Sequence, residues 1–340
     1  MHTKKIAVIG AGPAGLGAAS VLSRNGLRVS VFHREAAAGG HLNDWAWLFP
    51  RFVPARDVAV SMAAETRQVD FHPGCHIAGV SRHANGQFKI VMPDGQTEVA
   101  DALVYAGGFR VFDASRKEEL GYGIYPRVVT SADLEKMLAG EVPFPVELLQ
   151  QQALRIGVVH CVGSRDEKSG NRHCSRMCCV TGVKQSIELR KRFPNSRVTA
   201  FYMDMRMFGN GYEELYLEAQ RDWQVLFVRG RVSEVAESDE GRLRVKAEDT
   251  LLGRPIRDEF DLLVLMVGME ADLPKWLIED LGVKQIDAGF ARGNDELVAS
   301  NRTPTRGLYL AGSCKGPLSV AEAWNDGQAA AQQLLLDLNR

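Results

Sequence analysis

The stretch from Lys5 to Phe32 constrains this chain more than any other. Lys5 to Ile9 is a short β-branched, apolar strand, and Gly10-Ala11-Gly12-Pro13-Ala14-Gly15 follows it directly. Leu16 to Arg24 then reads as a helix ending near Gly26, and Val29 to Phe32 as a second strand. Strand, glycine-rich turn, helix and strand in this order form the first corner of a doubly wound α/β sheet and the context a dinucleotide fingerprint requires. Gly10 permits the tight turn, Gly12 lets a pyrophosphate approach the backbone, and Gly15 lets helix and strand close on each other. Pro13 and Ala14 complete the fingerprint, and the free N–H groups and positive dipole end of the helix that follows suit phosphate.

An acidic residue normally ends the second strand and grips the adenosine ribose. Here that position is His33, followed by Arg34 and Glu35. A neutral imidazole can hydrogen-bond a ribose hydroxyl, and Glu35 is a substitute carboxylate. Three further stretches favour FAD over NAD. Gly39-Gly40-His41 resembles the Gly-Gly turn that runs beside the flavin in two-dinucleotide-binding flavoproteins. Asp101 to Gly108 is an apolar strand ending in small residues, and its Ala106-Gly107 resembles their Ala-Thr-Gly segment. Gly307 to Cys314 resembles their last strand and flavin-contact loop, with Ser313 after Gly312 where that class usually carries Asp. Ala321 to Leu338 reads as a helix behind that loop. Elements of one FAD domain thus lie at both ends of the chain, at 1–150 and 272–340, with a second domain, 151–271, inserted between them.

The inserted stretch repeats the pattern. Ala153 to Cys161 reads as a buried strand, Val180 to Phe193 as a helix, and Val198 to Met203 and Asp261 to Val267 as further strands. Between the first strand and the helix there is no Gly-x-Gly-x-x-Gly. The chain carries Cys161, Cys174, Cys178 and Cys179 there, four of its 6 cysteines. Clustered thiolates hold a metal or do redox chemistry. Neither two Cys-x-x-Cys pairs, which favour zinc, nor Cys-x-x-Cys-x-x-Cys, which favours a ferredoxin, is present. Adjacent Cys178 and Cys179 diverge and suit two irons of a cubane better than one zinc. An iron–sulfur cluster, zinc and a redox dithiol all remain open on the residues alone. The helix N-terminus would lower the thiol pKa values, and Arg165, Arg176 and Lys184 would offset a four-thiolate charge.

Composition removes other classes. With 340 residues, 45% of them hydrophobic, the chain can bury a full core. A net charge of −1 provides no basic field for nucleic acid. No apolar run approaches the ~20 residues of a membrane helix, and Met-His-Thr-Lys-Lys leads straight into a strand without a secretory apolar core. A cytoplasmic protein with reduced thiols is expected.

Longer motifs carry a family resemblance. Cys161-Val-Gly-Ser-Arg165-Asp-Glu-Lys, Cys174-Ser-Arg-Met-Cys178-Cys179, Phe201-Tyr-Met-Asp204-Met-Arg206 and Phe208-Gly-Asn-Gly-Tyr212-Glu-Glu resemble the A subunit of heterodisulfide reductase. So do Gly121-Tyr122-Gly123-Ile124-Tyr125-Pro126 and Ala311-Gly-Ser-Cys314-Lys-Gly316-Pro317. The resemblance implies a thioredoxin-reductase-like fold of two Rossmann-type domains, with FAD and a 4Fe–4S cluster held by Cys161, Cys174, Cys178 and Cys179. It also implies a homodimer, partner subunits, and a relay of electrons between a thiol- or disulfide-handling partner and a soluble acceptor such as NAD. The chain departs from the family in three ways. It has no ferredoxin-type cysteine runs, no cysteine between Leu48 and Asp57, and Leu318 where lysine often follows Gly-Pro. These departures resemble the heterodisulfide-reductase-like complexes of sulfur oxidisers. The flavin subunit of quinone-interacting oxidoreductases and a stand-alone FAD-dependent disulfide reductase are the alternatives.

Smaller features read as structure. Cys75 and Cys314 are packed thiols, Trp45, Trp47, Phe49 and Phe52 a core or flavin-covering run, and Asp239-Glu240-Gly241 a hairpin turn.

Overall fold

The computed structural model describes residues 3–338. Two compact units emerge. The first comprises residues 1–43, 55–110 and 270–340, and the second residues 44–54 and 111–269.

The first unit is built on a five-stranded, all-parallel sheet. Its order is Leu308–Leu310, Ala102–Tyr105, Lys5–Ile9, Arg28–Phe32, Val69–His72. Parallel strands are covered on both faces, so they read as continuous apolar runs instead of alternating ones. Ala102–Tyr105 and Leu308–Leu310 are buried at every position. A three-stranded antiparallel meander, Gly79–Arg82, Phe88–Val91 and Thr97–Ala100, packs beside the sheet. Two helices, Pro13–Arg24 and Val320–Leu338, pack closely because glycines face the crossing. A Cβ at Gly17 would lie 2.4 Å from the Trp324 carbonyl oxygen, and one at Gly327 would lie 1.9 Å from the Ala14 oxygen.

The second unit repeats this plan. Its parallel sheet runs Val128–Thr130, Leu262–Val267, Arg155–Val162, Arg197–Tyr202, Leu226–Arg229. Its meander is Val232–Glu237, Leu243–Asp249 and Arg254–Phe260. The expected hairpin turn falls between the first two of these strands, with Gly241 at φ +73°. The Cys178–Arg192 helix covers the sheet, burying Val180, Val183, Ile187 and Leu189.

The boundaries correct the sequence expectation. The first cut falls after Arg110, not after residue 150, because Val128–Thr130 pairs with Leu262–Val267 and belongs to the second sheet. Residues 44–54 also join the second unit. Phe49 and Phe52 pack on its core, Phe49 meets the Tyr212 ring edge-on at 5.3 Å, and Lys191 Nζ sits 3.8 Å from the centre of the Phe52 ring. The aromatic run is therefore core material for the second unit, with Trp47 left partly exposed. Among the described residues, no helix is long and apolar enough to cross a membrane.

Candidate functional site

The first site is the turn after Lys5–Ile9. Backbone fills the space beside two of its glycines and leaves the third open. A Cβ on Gly10, which sits at φ +107°, would lie 2.2 Å from the Ala106 oxygen, and one on Gly15 would lie 1.8 Å from the Gly10 oxygen. Gly12 has nothing within 4 Å of that position. It precedes Pro13, the first residue of the helix, and no side chain caps the helix there. The result is a bare helix N-terminus beneath an open glycine, an anion cradle in form. Gly39, Gly40 and Gly312 close its walls. The Gly39 N–H donates to the Ala11 oxygen at 2.8 Å, a Cβ on Gly40 would lie 3.0 Å from Gly12 Cα, and one on Gly312 would lie 2.4 Å from Ala14 Cβ. Ala106, Gly107 and Ser313 line the same neighbourhood, Ala106 and Ser313 being buried. His41 leaves the cradle wall by its ring, whose Nε2 lies 3.2 Å from the Phe109 oxygen.

His33 takes the inner position at the end of the second strand. It is buried, its Nδ1 has no protein partner, and burial pushes its pKa down, which keeps the ring neutral. Buried polar atoms are seldom left unmatched. An orphaned imidazole nitrogen at the adenosine-ribose position fits a dinucleotide there. Glu35 is exposed and accepts from Arg34 Nε at 3.2 Å, while Arg34 also reaches Asp272 at 3.3 Å. This surface pairing leaves the inward role to His33.

The second site lies at the corresponding corner of the second sheet. Arg155–Val162 ends in a register shift between Val159 and Val162, and Cys161 sits at φ +61°. The irregularity breaks strand alternation and turns the chain into the loop. Arg165 and Arg176 also adopt positive φ, at +54° and +56°. Two buried hydroxyls, Ser164 and Ser175, meet at 2.5 Å and tie the loop's two ends, and the Ser175 hydroxyl accepts the Met269 N–H at 2.8 Å.

Cys178 and Cys179 are the first two residues of the helix, where N–H groups are unpaired and the dipole is positive. Three thiols converge there. Cys178 hydrogen-bonds both Cys161 and Cys179, and as the shared partner in a fully buried position its own pKa goes up. The Cys178 hydrogen bond draws Cys179 down to about 4, helped by His160 and the Arg206 N–H, against the desolvation that opposes it. Cys161 comes down to about 7 by its own bond to Cys178, then by the charges of His160 and Arg165. Cys174 stands apart, half-buried, its sulfur accepting the Arg176 N–H at 3.4 Å. Arg165 feels the charge of both Cys161 and Cys174 and is anchored to Asp204 at 2.7 Å. Among the described residues, no group of three or more His, Cys, Asp or Glu side chains is already set as a metal-ion site. The donor set is nonetheless soft, thiolate-rich and flanked by arginine, which is the chemistry an iron–sulfur cluster needs.

Lys184 is a correction. The sequence places it as a charge balance at the cofactor end, and the fold employs it elsewhere. Its ammonium is buried between Glu135, at 2.5 Å, and Glu188, at 3.1 Å, and it donates to the Trp47 oxygen at 3.0 Å. Gln185 Nε2 adds a bond to Glu135 at 2.7 Å, and Glu135 in turn accepts the Ala46 N–H at 3.1 Å. Two carboxylates share one ammonium, and burial first of all pushes Glu188 up to about 7.

Three contacts had no sequence signal. His160 neighbours Cys179 at the irregular end of its strand. Asp204 holds Arg165 from 39 positions away. Asp326, on the terminal helix, accepts the Gly312 N–H at 2.6 Å, reaching back to the turn that precedes the helix.

Comparison with known proteins agrees with this geometry. A family model described as an NAD(P)-binding Rossmann-like domain matches residues 8–53. Thioredoxin reductase of Lactococcus lactis superposes over 99% of both chains with a TM-score of 0.71 at 19% identity. That of T. acidophilum does so over 99% of this chain and 100% of its own, with a TM-score of 0.70 at 20% identity. The fold is thioredoxin-reductase-like.

In sequence, an iron–sulfur A subunit (the second form) of the CoB–CoM heterodisulfide reductase of Methanopyrus kandleri is 36% identical over 245 residues, 70% of this chain and 37% of that protein. The A subunit of the ferredoxin:CoB–CoM heterodisulfide reductase of Methanosarcina mazei is 36% identical over 245 residues, 69% of this chain and 30% of its own length. The chain is thus a homologue of the heterodisulfide reductase A subunits, and its match spans 30% to 37% of the length of these two relatives.

Proposed function

We propose that this chain is an FAD- and 4Fe–4S-carrying electron-transfer unit of a heterodisulfide-reductase-like complex. The observation that carries the reading is the convergence of Cys161, Cys178 and Cys179 at the head of a helix, at the corner equivalent to the one where the first unit keeps its phosphate cradle. In an open α/β sheet that crevice, outside the carboxyl ends of the strands, is where ligands sit.

FAD exchanges electrons in pairs or singly, and a 4Fe–4S cluster takes them one at a time. Together they supply conversion between two-electron and one-electron chemistry. The chain's own residues do the rest. Gly12 and the N-terminus of the Pro13–Arg24 helix bind the pyrophosphate, and Gly10 and Gly15 close the turn beneath it. His33, kept neutral, offers Nδ1 to the adenosine ribose. Gly39, Gly40, Ala106, Gly107, Gly312 and Ser313 wall the cofactor and exclude water. Cys161, Cys174, Cys178 and Cys179 would hold the cluster. Arg165 balances thiolate charge and Asp204 keeps it in place. Other subunits supply and remove electrons, and a soluble carrier such as NAD is the acceptor.

One observation favours a second reading. Cys178 contacts two acidified thiols, as a redox dithiol would, and an FAD-dependent disulfide reductase follows from that. Iron and sulfide assay with EPR spectroscopy after anaerobic purification decides. About four irons and a reducible cubane signal are expected. Four titratable thiols without iron would replace the relay with the reductase.

A further inference from the structure

Asp326 is the hub of a small polar network that nothing above uses. It lies on the Val320–Leu338 helix, next to Gly327, whose Cα rests on Ala14 in the first turn of the cradle helix. One carboxylate oxygen accepts the Gly312 N–H at 2.6 Å. The other accepts Lys315 Nζ at 2.8 Å and Asn301 Nδ2 at 3.1 Å. Lys315 also lies 3.4 Å from the Ser300 hydroxyl, and Asn301 donates to the Leu310 oxygen at 2.9 Å. Lys315 and Asp326 expose 13% and 20% of their side chains, so this is not a loose surface pair. A single carboxylate therefore fixes the end of the last strand, the Gly312–Lys315 turn and the terminal helix.

The position of this network gives it a role. Gly312 packs directly on Ala14, so the turn Asp326 fixes is a wall of the phosphate cradle. A bare carboxylate beside a pyrophosphate would repel it, and a bare ammonium would attract it. Paired, the two present no net charge while still ordering the wall. Resting on the FAD reading above, we propose that Asp326 and Lys315 are positioning residues of the cofactor, a charge-balanced clamp that orders the Gly312 turn and sets the charge felt by the bound FAD.

The test uses the full chain with FAD as the probe, and compares Lys315→Met, Asp326→Asn and the double variant. Lys315→Met leaves the carboxylate unbalanced. It is expected to weaken FAD binding about tenfold and lower the flavin midpoint potential. Asp326→Asn frees the ammonium and is expected to raise the potential. The double variant is expected to return toward the wild-type potential while its FAD dissociates faster, because the turn has lost its anchor. A purely structural network would weaken binding without opposite, cancelling shifts. Single variants that move the potential in the same direction, or not at all, overturn the clamp and leave the FAD reading standing. A wild-type chain that binds no FAD overturns both. Thermal unfolding of each variant separates a misfolded chain from a cofactor effect.

Discussion

The first and second strand-to-helix corners sit at equivalent places in two sheets of the same plan, yet they are built from opposite materials. The first spends glycine. Its backbone folds so tightly that two Cβ positions are filled by carbonyl oxygens, and Gly12 alone is open. The second spends side chains. Non-glycine residues at Cys161, Arg165 and Arg176 adopt the left-handed conformation that glycine would take more readily. A corner that binds a ligand through N–H groups must stay bare, whereas one that binds through sulfur must keep its Cβ atoms and bear the strain. The topology is shared, and the chemistry is chosen by what fills the loop.

The comparison breaks most visibly at the sulfur corner. Cys178→Ala removes the thiol shared by Cys161 and Cys179, and the purified protein is expected to lose essentially all its iron. Iron retained at wild-type levels would return the second corner to an ordinary packed loop. At the glycine corner, two substitutions separate fold from cofactor. Gly15→Ala drives a methyl into the Gly10 carbonyl, and a stability loss of about 3 kcal/mol is expected in chemical denaturation. Gly12→Ala meets no protein atom. It should leave the denaturation midpoint unchanged while lowering FAD affinity about a hundredfold, as read by flavin fluorescence.

Glu188 gives a smaller effect with a definite sign. Its ordinary value of 4.5 rises to about 7 in the fold, first through burial. The folded protein therefore binds a proton the unfolded chain releases, and stability falls as pH climbs from about 4.5 to about 7, then levels off. Glu188→Gln should flatten that decline and be about 2 kcal/mol more stable than wild type at pH 8. Equal slopes in urea denaturation series across pH would show that Glu188 keeps its normal affinity. The smallest effect is at His33, where alanine removes one neutral hydrogen bond and FAD affinity should drop about fivefold.

Much of this was legible in sequence for a physical reason. The first corner announces itself because glycine spacing, strand and helix are all local. The helix after the thiols was read from Val180 to Phe193 and runs from Cys178 to Arg192, and the Gly241 turn was equally plain. What stayed hidden joins distant positions. Lys184 meets Glu135 across 49 residues, so a lysine near the thiols in sequence is spent in a buried triad. Residues 44–54 lie between two stretches of the first unit, yet their backbone is held by Glu135 and Lys184 of the second. Asp326 was invisible because a bond from a helix side chain back to a turn N–H leaves no periodic trace.

Burial of the sulfurs also gives the chain an internal clock for chemical labelling. Cys314 is wholly enclosed, its thiol donating to the Ala311 oxygen at 3.3 Å and its pKa pushed by burial up to about 12. A thiol so protonated and so enclosed ignores alkylating reagents until the first unit opens. Cys75 is partly exposed and reacts early. The moment Cys314 becomes labelled therefore times the opening of the cofactor unit, with no probe added to the protein.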